Sequence, residues 1–283
     1  MEGIMQELRG MPVVNSLAEK FKSDIERLKG EGIVPKLTVV RVGEQADDLA
    51  YEKGIMKRFS TVSAIAEVIA LPVDVSQEEL EQTILNLNED TSVHGILLFR
   101  PLPKNLSEDR IKSIIAEGKD VDGMGINNIA HVFSGNKIGF PPCTPQAVIE
   151  LLDFYGIDLT GKKVTVVGRS MVTGKPLSML LLGKNATVTI CHTRTKNLSE
   201  ECKKADILIA CAGVAKMVKE SFVHPEQIVV DVGINMDNGK LCGDVDYDAV
   251  AGIVKAITPV PGGVGTVTTS VLLKHTIQSA MRK

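Results

Sequence analysis

The 283-residue chain has no tryptophan and only three tyrosines, so aromatic recognition of a flat ligand falls to very few side chains. Its five cysteines, Cys143, Cys191, Cys202, Cys211 and Cys242, are odd in number and lack C-x-x-C spacing. That excludes an evident disulfide framework or zinc knuckle. The histidines are equally scattered, none paired with a second His or an acid at metal-like spacing, so no metal is predicted. No apolar run approaches the ~20 residues of a transmembrane helix, and Met1–Glu7 does not read as a signal peptide. Net charge is -3 with both signs mixed, which leaves no electrostatic footprint for nucleic acid and no basic block for a membrane surface. The expectation is a soluble, cytoplasmic protein with neither nucleic acid nor membrane as partner. Its length and 44% apolar content suit two domains, each with its own core.

What is present is a strand-turn-helix signature in the second half. Val164–Gly168 is a β-branched run of the kind that fills a strand buried on both faces, and Pro176–Leu182 follows with helical period. The turn between them, Gly168-Arg169-Ser170 through Gly174, brings backbone N–H groups and a helix N-terminus to one point, an arrangement suited to pyrophosphate. It is not G-x-G-x-x-G, and alone it is equally an ordinary turn. Further strands at Ala186–His192, Asp206–Gly213 and Ile228–Gly233 give the alternation of a parallel, doubly wound sheet. Cys191 and Cys211 fall in these strands as small buried hydrophobes. The second strand runs into His192-Thr193-Arg194-Thr195-Lys196, with no acid to receive a ribose 2′-hydroxyl. With Arg169, these cations favour a 2′-phosphate, hence NADP over NAD; a solvated basic loop is the alternative.

The first half also alternates. A helix is predicted over Val13–Lys29, strands over Lys36–Gly43, Ala64–Leu71 and Val93–Phe99, and helices over Glu44–Phe59 (despite Gly54), Ser76–Asn88 and Ser107–Glu117. Ser76-Gln77-Glu78-Glu79 has the form of a capping box. Loops after Gly43 and Phe99 reach the carboxyl edge of this sheet, where substrate is expected. Lys119-Asp120-Val121-Asp122-Gly123 lies outside any periodic segment; its two acids suit a cation, an Asx turn or an N–H-rich heterocycle. Pro141–Pro145 is expected to be a hinge. Near the end, Thr258–Thr268 carries three glycines and two prolines that let a flat ring approach the backbone, and Thr269–Arg282 has helical pattern.

Together these segments resemble the methylenetetrahydrofolate dehydrogenase/methenyltetrahydrofolate cyclohydrolase family, the bacterial FolD proteins. The resemblance rests on Asp120–Gly123, Pro142–Pro145, Val167–Ser170, Ala186–Thr189 with Cys191-His192, Val230–Asn235, Gly243–Val245 and Pro259–Gly265, in that order across nearly the whole chain. It implies an α/β fold with a folate-binding catalytic domain over 1–140, a Rossmann-type NAD(P)-binding domain over 141–265, and a cleft between them. The closing helix, 266–283, is expected to pack back on the first domain, and the protein to be a homodimer. The implied reaction is oxidation of 5,10-methylene-tetrahydrofolate to 5,10-methenyl-tetrahydrofolate in one-carbon metabolism. Tyr51 resembles the tyrosine that stacks on the folate ring and Asp122 the aspartate that hydrogen-bonds the pterin, and both are taken as catalytic and substrate-binding. Gly262 and Gly263 match the loop lining the folate and nicotinamide. Gly168, Arg169, Ser170, Thr193, Arg194 and Ile234 match cofactor positions, with NADP preferred.

The departures bear on hydrolysis. In bifunctional relatives a lysine follows the stacking tyrosine by four residues, on the same helical face, and assists attack of water on the methenyl carbon. Here that position is Ile55. Aligning Gly95–Pro103 with the usual V-Q-L-P-L-P pattern puts Phe99 where a glutamine supports the lysine. Lys53 and Lys57 lie off that face. Thr266, where a proline commonly stands, is a smaller change. The expectation is a dehydrogenase with cyclohydrolase weak or absent; the alternative is a bifunctional enzyme that also makes 10-formyl-tetrahydrofolate.

Overall fold

The computed structural model describes residues 5–282, so the expected domain ends at 1–4 and 283 lie outside the described residues. Described residues begin with strand β1 (Gln6–Glu7) and helix α1 (Gly10–Gly30). The chain forms two compact units. One holds Ser16–Cys143 and the described residues from Thr269 on; the other holds the described residues up to Asn15 with Thr144–Thr268.

In the first unit, β2 (Lys36–Val42), α2 (Ala46–Ser60), β3 (Ile65–Leu71), α3 (Gln77–Glu89) and β4 (Gly95–Leu98) alternate, followed by α4 (Glu108–Ile114) and α5 (Ile126–Ser134). The strands are parallel in the order β3-β2-β4. β2 is central and buried after its first residue, which suits Leu37, Val39, Val40 and Val42, while its Thr38 and Arg41 are bonded to Glu67 and Glu52. β3, at the edge, is largely half-buried and carries Glu67. One face of the sheet packs Val40, Ile96 and Leu98 against Ile84 of α3 and Ile111 of α4. The capping box is present: Ser76 Oγ accepts from the Glu79 N–H at 3.2 Å, and Glu79 Oε2 accepts from the Ser76 N–H at 3.1 Å. Lys119 Nζ donates to the carbonyls of Leu87, Asn88 and Asp90, at 2.7 Å each, satisfying carbonyls at the end of α3. That anchors the start of the segment carrying Asp120 and Asp122.

In the second unit, α6 (Cys143–Phe154) leads to β5 (Lys163–Val167), α7 (Gly174–Gly183), β6 (Thr187–Cys191), α8 (Leu198–Lys203), β7 (Ile207–Ala210) and β8 (Ile228–Asp231). A hairpin, β9 (Asn235–Asp237) with β10 (Lys240–Cys242), then α9 (Tyr247–Val250), β11 (Ala256–Ile257) and α10 (Val264–Ala280) follow. The sheet is parallel throughout, in the order β1-β11-β8-β7-β5-β6. β5 has its successor β6 on one side and β7 on the other, so the winding reverses at β5, the place where such sheets bind ligands. The unit borders fall inside α1, at the start of α6 and inside α10.

Two local readings differ from expectation. Grouping residues 1–140 missed that Gln6 and Glu7 pair with Ala256 and Ile257, which draws the described residues up to Asn15 into the second unit. The expected hinge at Pro141–Pro145 contains the start of α6; Pro145 is in the first turn, where a missing N–H costs nothing. Among the described residues no helix is long and apolar enough to cross a membrane.

Candidate functional site

The first unit brings Tyr51, Phe99 and Asp122 together, and the second has a pocket that takes in Ile234 among the expected cofactor residues. In the first, α2 carries Tyr51 at the carboxyl edge of the sheet, with 37% of its surface open. Its ring lies 5.6 Å from that of Phe99, tilted by 32°, immediately after β4. Arg100 follows, and its Nη2 is 3.2 Å from Asp122 Oδ2. Asp122 and the Cys143 thiol act on each other, and both act on the Tyr51 hydroxyl. Tyr51 is held well above its ordinary range, first by lost hydration and then by Cys143 and Asp122.

The two acids of Asp120-Val121-Asp122-Gly123 divide the work. Asp120 is buried and makes the turn: its carboxylate accepts from the N–H groups of Met124 (3.1 Å) and Gly125 (2.8 Å) and from Asn128 Nδ2 (2.7 Å). Gly123 closes the turn at φ +66°, where a Cβ would overlap the Phe140 carbonyl. Asp122 is thereby released from structural duty. Burial pushes its carboxyl up to about 6, opposed by Arg100 and reinforced by Asp120. The Val121 carbonyl between them accepts from Cys143 Sγ (3.3 Å) and from His275 Nδ1 (2.8 Å), which fixes the backbone at Asp122. Ile55, on the same face of α2 as Tyr51, is wholly buried, and Phe99 is 6% exposed.

In the second unit a pocket of about 240 Å³ lies at the carboxyl ends of β7 and β8, lined by Cys211, Gly213, Val232, Gly233 and Ile234. Thr173 from the turn before α7, Thr144 of α6, and Val264, Gly265 and Thr268 of α10 complete it. Of the expected cofactor residues Ile234 is in this wall. Gly168 stands at the end of β5 at φ +140°, its N–H donating to the Cys191 carbonyl at 2.9 Å. A Cβ on Gly168 would overlap the Cys211 carbonyl, and one on Gly174 would overlap the carbonyl of Gly168, so this turn is a backbone cradle without room for side chains. Arg169 and Ser170 are exposed at its rim, and Thr193 and Arg194 are exposed after β6. Gly262 and Gly263 precede the lining residues of α10 and are tied down: Gly10 N–H donates to the Gly262 carbonyl at 2.8 Å, and Gly263 accepts from the Thr266 N–H at 3.1 Å.

Sequence reasoning missed the residues that hold this pocket open. Asp244 accepts from the N–H groups of Ala212 (2.5 Å), Gly213 (2.9 Å) and Val214 (2.9 Å) and from Asn235 Nδ2 (2.9 Å), clamping the loop after β7. Asp231 accepts from the N–H groups of Gly233 (2.9 Å), Asp244 (3.0 Å) and Val245 (2.9 Å). Burial pushes Asp231 up to about 6 against those bonds. Gly233 and Gly243 are glycines because a Cβ at either would overlap one of these carboxylates. Both acids stand in segments that carry the family resemblance, Val230–Asn235 and Gly243–Val245, but nothing in the sequence assigns them this structural role.

The sequence matches the catalytic domain of tetrahydrofolate dehydrogenase/cyclohydrolase over residues 8–122, and the NAD(P)-binding domain of the same family over residues 142–283. It is 54% identical over 275 residues to the Bifunctional protein FolD of Clostridioides difficile, covering 97% of this chain and 96% of the relative. Among solved structures it resembles the bifunctional FolD methylenetetrahydrofolate dehydrogenase/cyclohydrolase of Campylobacter jejuni, with TM-score 0.95, 39% identity, and coverage of 98% and 99%. It also resembles the FolD of Trypanosoma brucei complexed with NADP cofactor and inhibitor, with TM-score 0.92, 31% identity, and 98% coverage of each chain.

Proposed function

The chain belongs to the tetrahydrofolate dehydrogenase/cyclohydrolase family, and from that premise we propose that it oxidises 5,10-methylene-tetrahydrofolate to 5,10-methenyl-tetrahydrofolate with NADP in the cytoplasm. The observation that carries the reading is Asp122, a carboxylate spared from the turn by Asp120 and set near the Tyr51 ring. Tyr51 supplies the face on which a pterin stacks; Asp122 accepts from its N–H groups. These contacts orient the ring, and the methylene carbon between two nitrogens needs little more than orientation, since their lone pairs stabilise the cation that forms.

The residues of the second unit fit the cofactor. The glycine cradle at 168 and 174 offers backbone to a pyrophosphate, and Val232, Ile234 and Val264 give an apolar wall for a flat ring. Arg169 and Ser170 after β5, and Thr193 and Arg194 after β6, are exposed and include no acid, which supports their receiving a 2′-phosphate. NADP, when bound, takes the hydride. Arg169→Ala is expected to weaken NADP binding by roughly ten- to a hundredfold while changing NAD little, because a charged hydrogen bond to phosphate is worth about 1.5–3 kcal/mol. Titration with each dinucleotide decides; equal losses refute the assignment. The half-exposed edge strand β6 supports a homodimer joined through second units.

For hydrolysis, relatives named as bifunctional, at 54% and 52% identity, favour the reading in which the chain also converts methenyl-tetrahydrofolate to 10-formyl-tetrahydrofolate. Buried Ile55 and Phe99 favour dehydrogenase alone, the reading first drawn from sequence. Decay of methenyl-tetrahydrofolate with and without protein separates them. The bifunctional reading expects an accelerated decay that is lost in Asp122→Asn, whose amide no longer holds the pterin in place; a rate equal to buffer leaves the dehydrogenase alone.

A further inference from the structure

The site lacks a lysine at position 55, yet it is not without a cation. Arg100 stands where the V-Q-L-P-L-P pattern has a leucine, one residue beyond the ring that packs on Tyr51. Its guanidinium reaches Asp122 at 3.2 Å, with the two side chains 22% and 20% exposed. This is not a solvated surface bridge, the kind that contributes little. The loop carrying it is pinned at its next turn, where the Leu102 N–H donates to Glu108 Oε1 at 3.2 Å.

An arginine does not lose its proton near neutral pH, so it does not take over proton transfer from a lysine. What it does is set by what faces it. Asp122 meets Arg100 from the loop after β4, Asp120 from its own turn, the Cys143 thiol from the start of α6, and the Tyr51 hydroxyl from α2. Of these, Arg100 is the only positive group; Asp120 repels and burial favours the neutral acid. Without Arg100, Asp122 is left as an acid in a partly dry site beside a second carboxylate. A protonated Asp122 offers a donor where the pterin N–H groups require an acceptor.

We propose that Arg100 is a positioning residue for folate recognition: it keeps Asp122 ionised and aimed, and so sets the lower pH limit of the reaction. This rests on Asp122 being the pterin acceptor. With the acid form favoured by burial up to about 6, removal of the cation moves the titration further up, and affinity for the folate is lost as pH falls through that higher value. A purely structural ion pair would lower stability without moving the titration.

The test is the pH dependence of kcat/KM for 5,10-methylene-tetrahydrofolate at saturating NADP, in wild type, Arg100→Leu, Arg100→Gln and Arg100→Lys. The wild-type acidic limb is expected near 6. In Arg100→Leu and Arg100→Gln it rises by about 1–3 units, the effect of losing an opposite charge at this range. At pH 6 that costs about fivefold or more, chiefly through KM for the folate, and the loss is recovered at alkaline pH. KM for NADP does not change, and Arg100→Lys restores the wild-type limb. Limbs that coincide in wild type and Arg100→Gln overturn the inference, and Gln carries the test if the leucine variant does not fold. A ¹³C-carboxyl NMR titration of Asp122 in wild type and Arg100→Gln gives the same comparison without turnover. Absence of folate oxidation in wild type therefore sinks the functional reading alone, while coincident NMR titrations sink the role of Arg100.

Discussion

Asp122→Asn is expected to retain its fold and its affinity for NADP while losing about a hundredfold or more of kcat/KM for the folate. The amide has the carboxylate's shape, and the turn does not depend on it: Asp120 accepts the three N–H groups that define that turn. What Asn lacks is a second acceptor oxygen and the charge. A charged hydrogen bond is worth about 1.5–3 kcal/mol, and leaving a pterin N–H facing an amide N–H adds a desolvation cost. The two together exceed the roughly 2.7 kcal/mol that correspond to a hundredfold. Steady-state kinetics above neutral pH, where wild-type Asp122 is ionised, check the figure. Thermal denaturation provides the control, with little change expected for Asp122→Asn and a large loss for Asp120→Asn, whose carboxylate accepts three hydrogen bonds in the wild type. A decrease of threefold or less in Asp122→Asn would remove this residue from the site.

Gly168→Ala is expected to damage the second unit by about 3 kcal/mol or more and to abolish measurable NADP binding. Two costs combine. At φ +140° a side chain is strained by about 1–3 kcal/mol, whatever the space. Space is also absent: the new Cβ would overlap the Cys211 carbonyl and stand 2.8 Å from its Sγ. Relief requires the ends of β5 and β7 to separate, but the Cys211 N–H donates to Val167 at 2.9 Å and the neighbouring loop is clamped by Asp244. The strain therefore falls on the cradle where the cofactor's phosphates are proposed to lie. Gly54→Ala is the contrasting case. Gly54 is inside α2 and an added Cβ there meets nothing within 4 Å, so helix propensity alone predicts about 0.5–1 kcal/mol of stabilisation. Denaturant unfolding of both variants tests the pair; equal stabilities would show that the geometry at Gly168 is wrong.

The sequence is informative where structure repeats locally. β2 and β5 announce themselves as β-branched runs because both faces of a central strand are buried, and Ser76 with Glu79 announces a helix start because the cap is made within four residues. β1 and β11 could not be read that way. Each has two residues, too few for any period, and their pairing joins opposite ends of the chain. The start of α6 hid behind three prolines and a cysteine, although proline is at home in a first helical turn. At the site, Tyr51, Asp122 and Phe99 were named through the family resemblance, and the structure puts the Tyr51 ring on that of Phe99, with Asp122 bound to the next residue, Arg100. The division of labour between Asp120 and Asp122 was not legible, since it depends on which carboxylate the backbone of Met124 and Gly125 curls around. The clamping roles of Asp231 and Asp244 were not legible for the same reason: their partners are backbone N–H groups from loops far apart in sequence. The pairing of Arg100 with Asp122 was not legible either, since the two come from separate loops and meet only in the folded chain.

Purified protein mixed with 5,10-methylene-tetrahydrofolate and NADP gives the most direct measurement, with reduced dinucleotide and methenyl-tetrahydrofolate followed separately at early times. The account expects the two to appear in equal amounts at the outset, at a rate that saturates with folate and collapses in Asp122→Asn. No folate-dependent reduction of NADP or NAD by folded protein would contradict it.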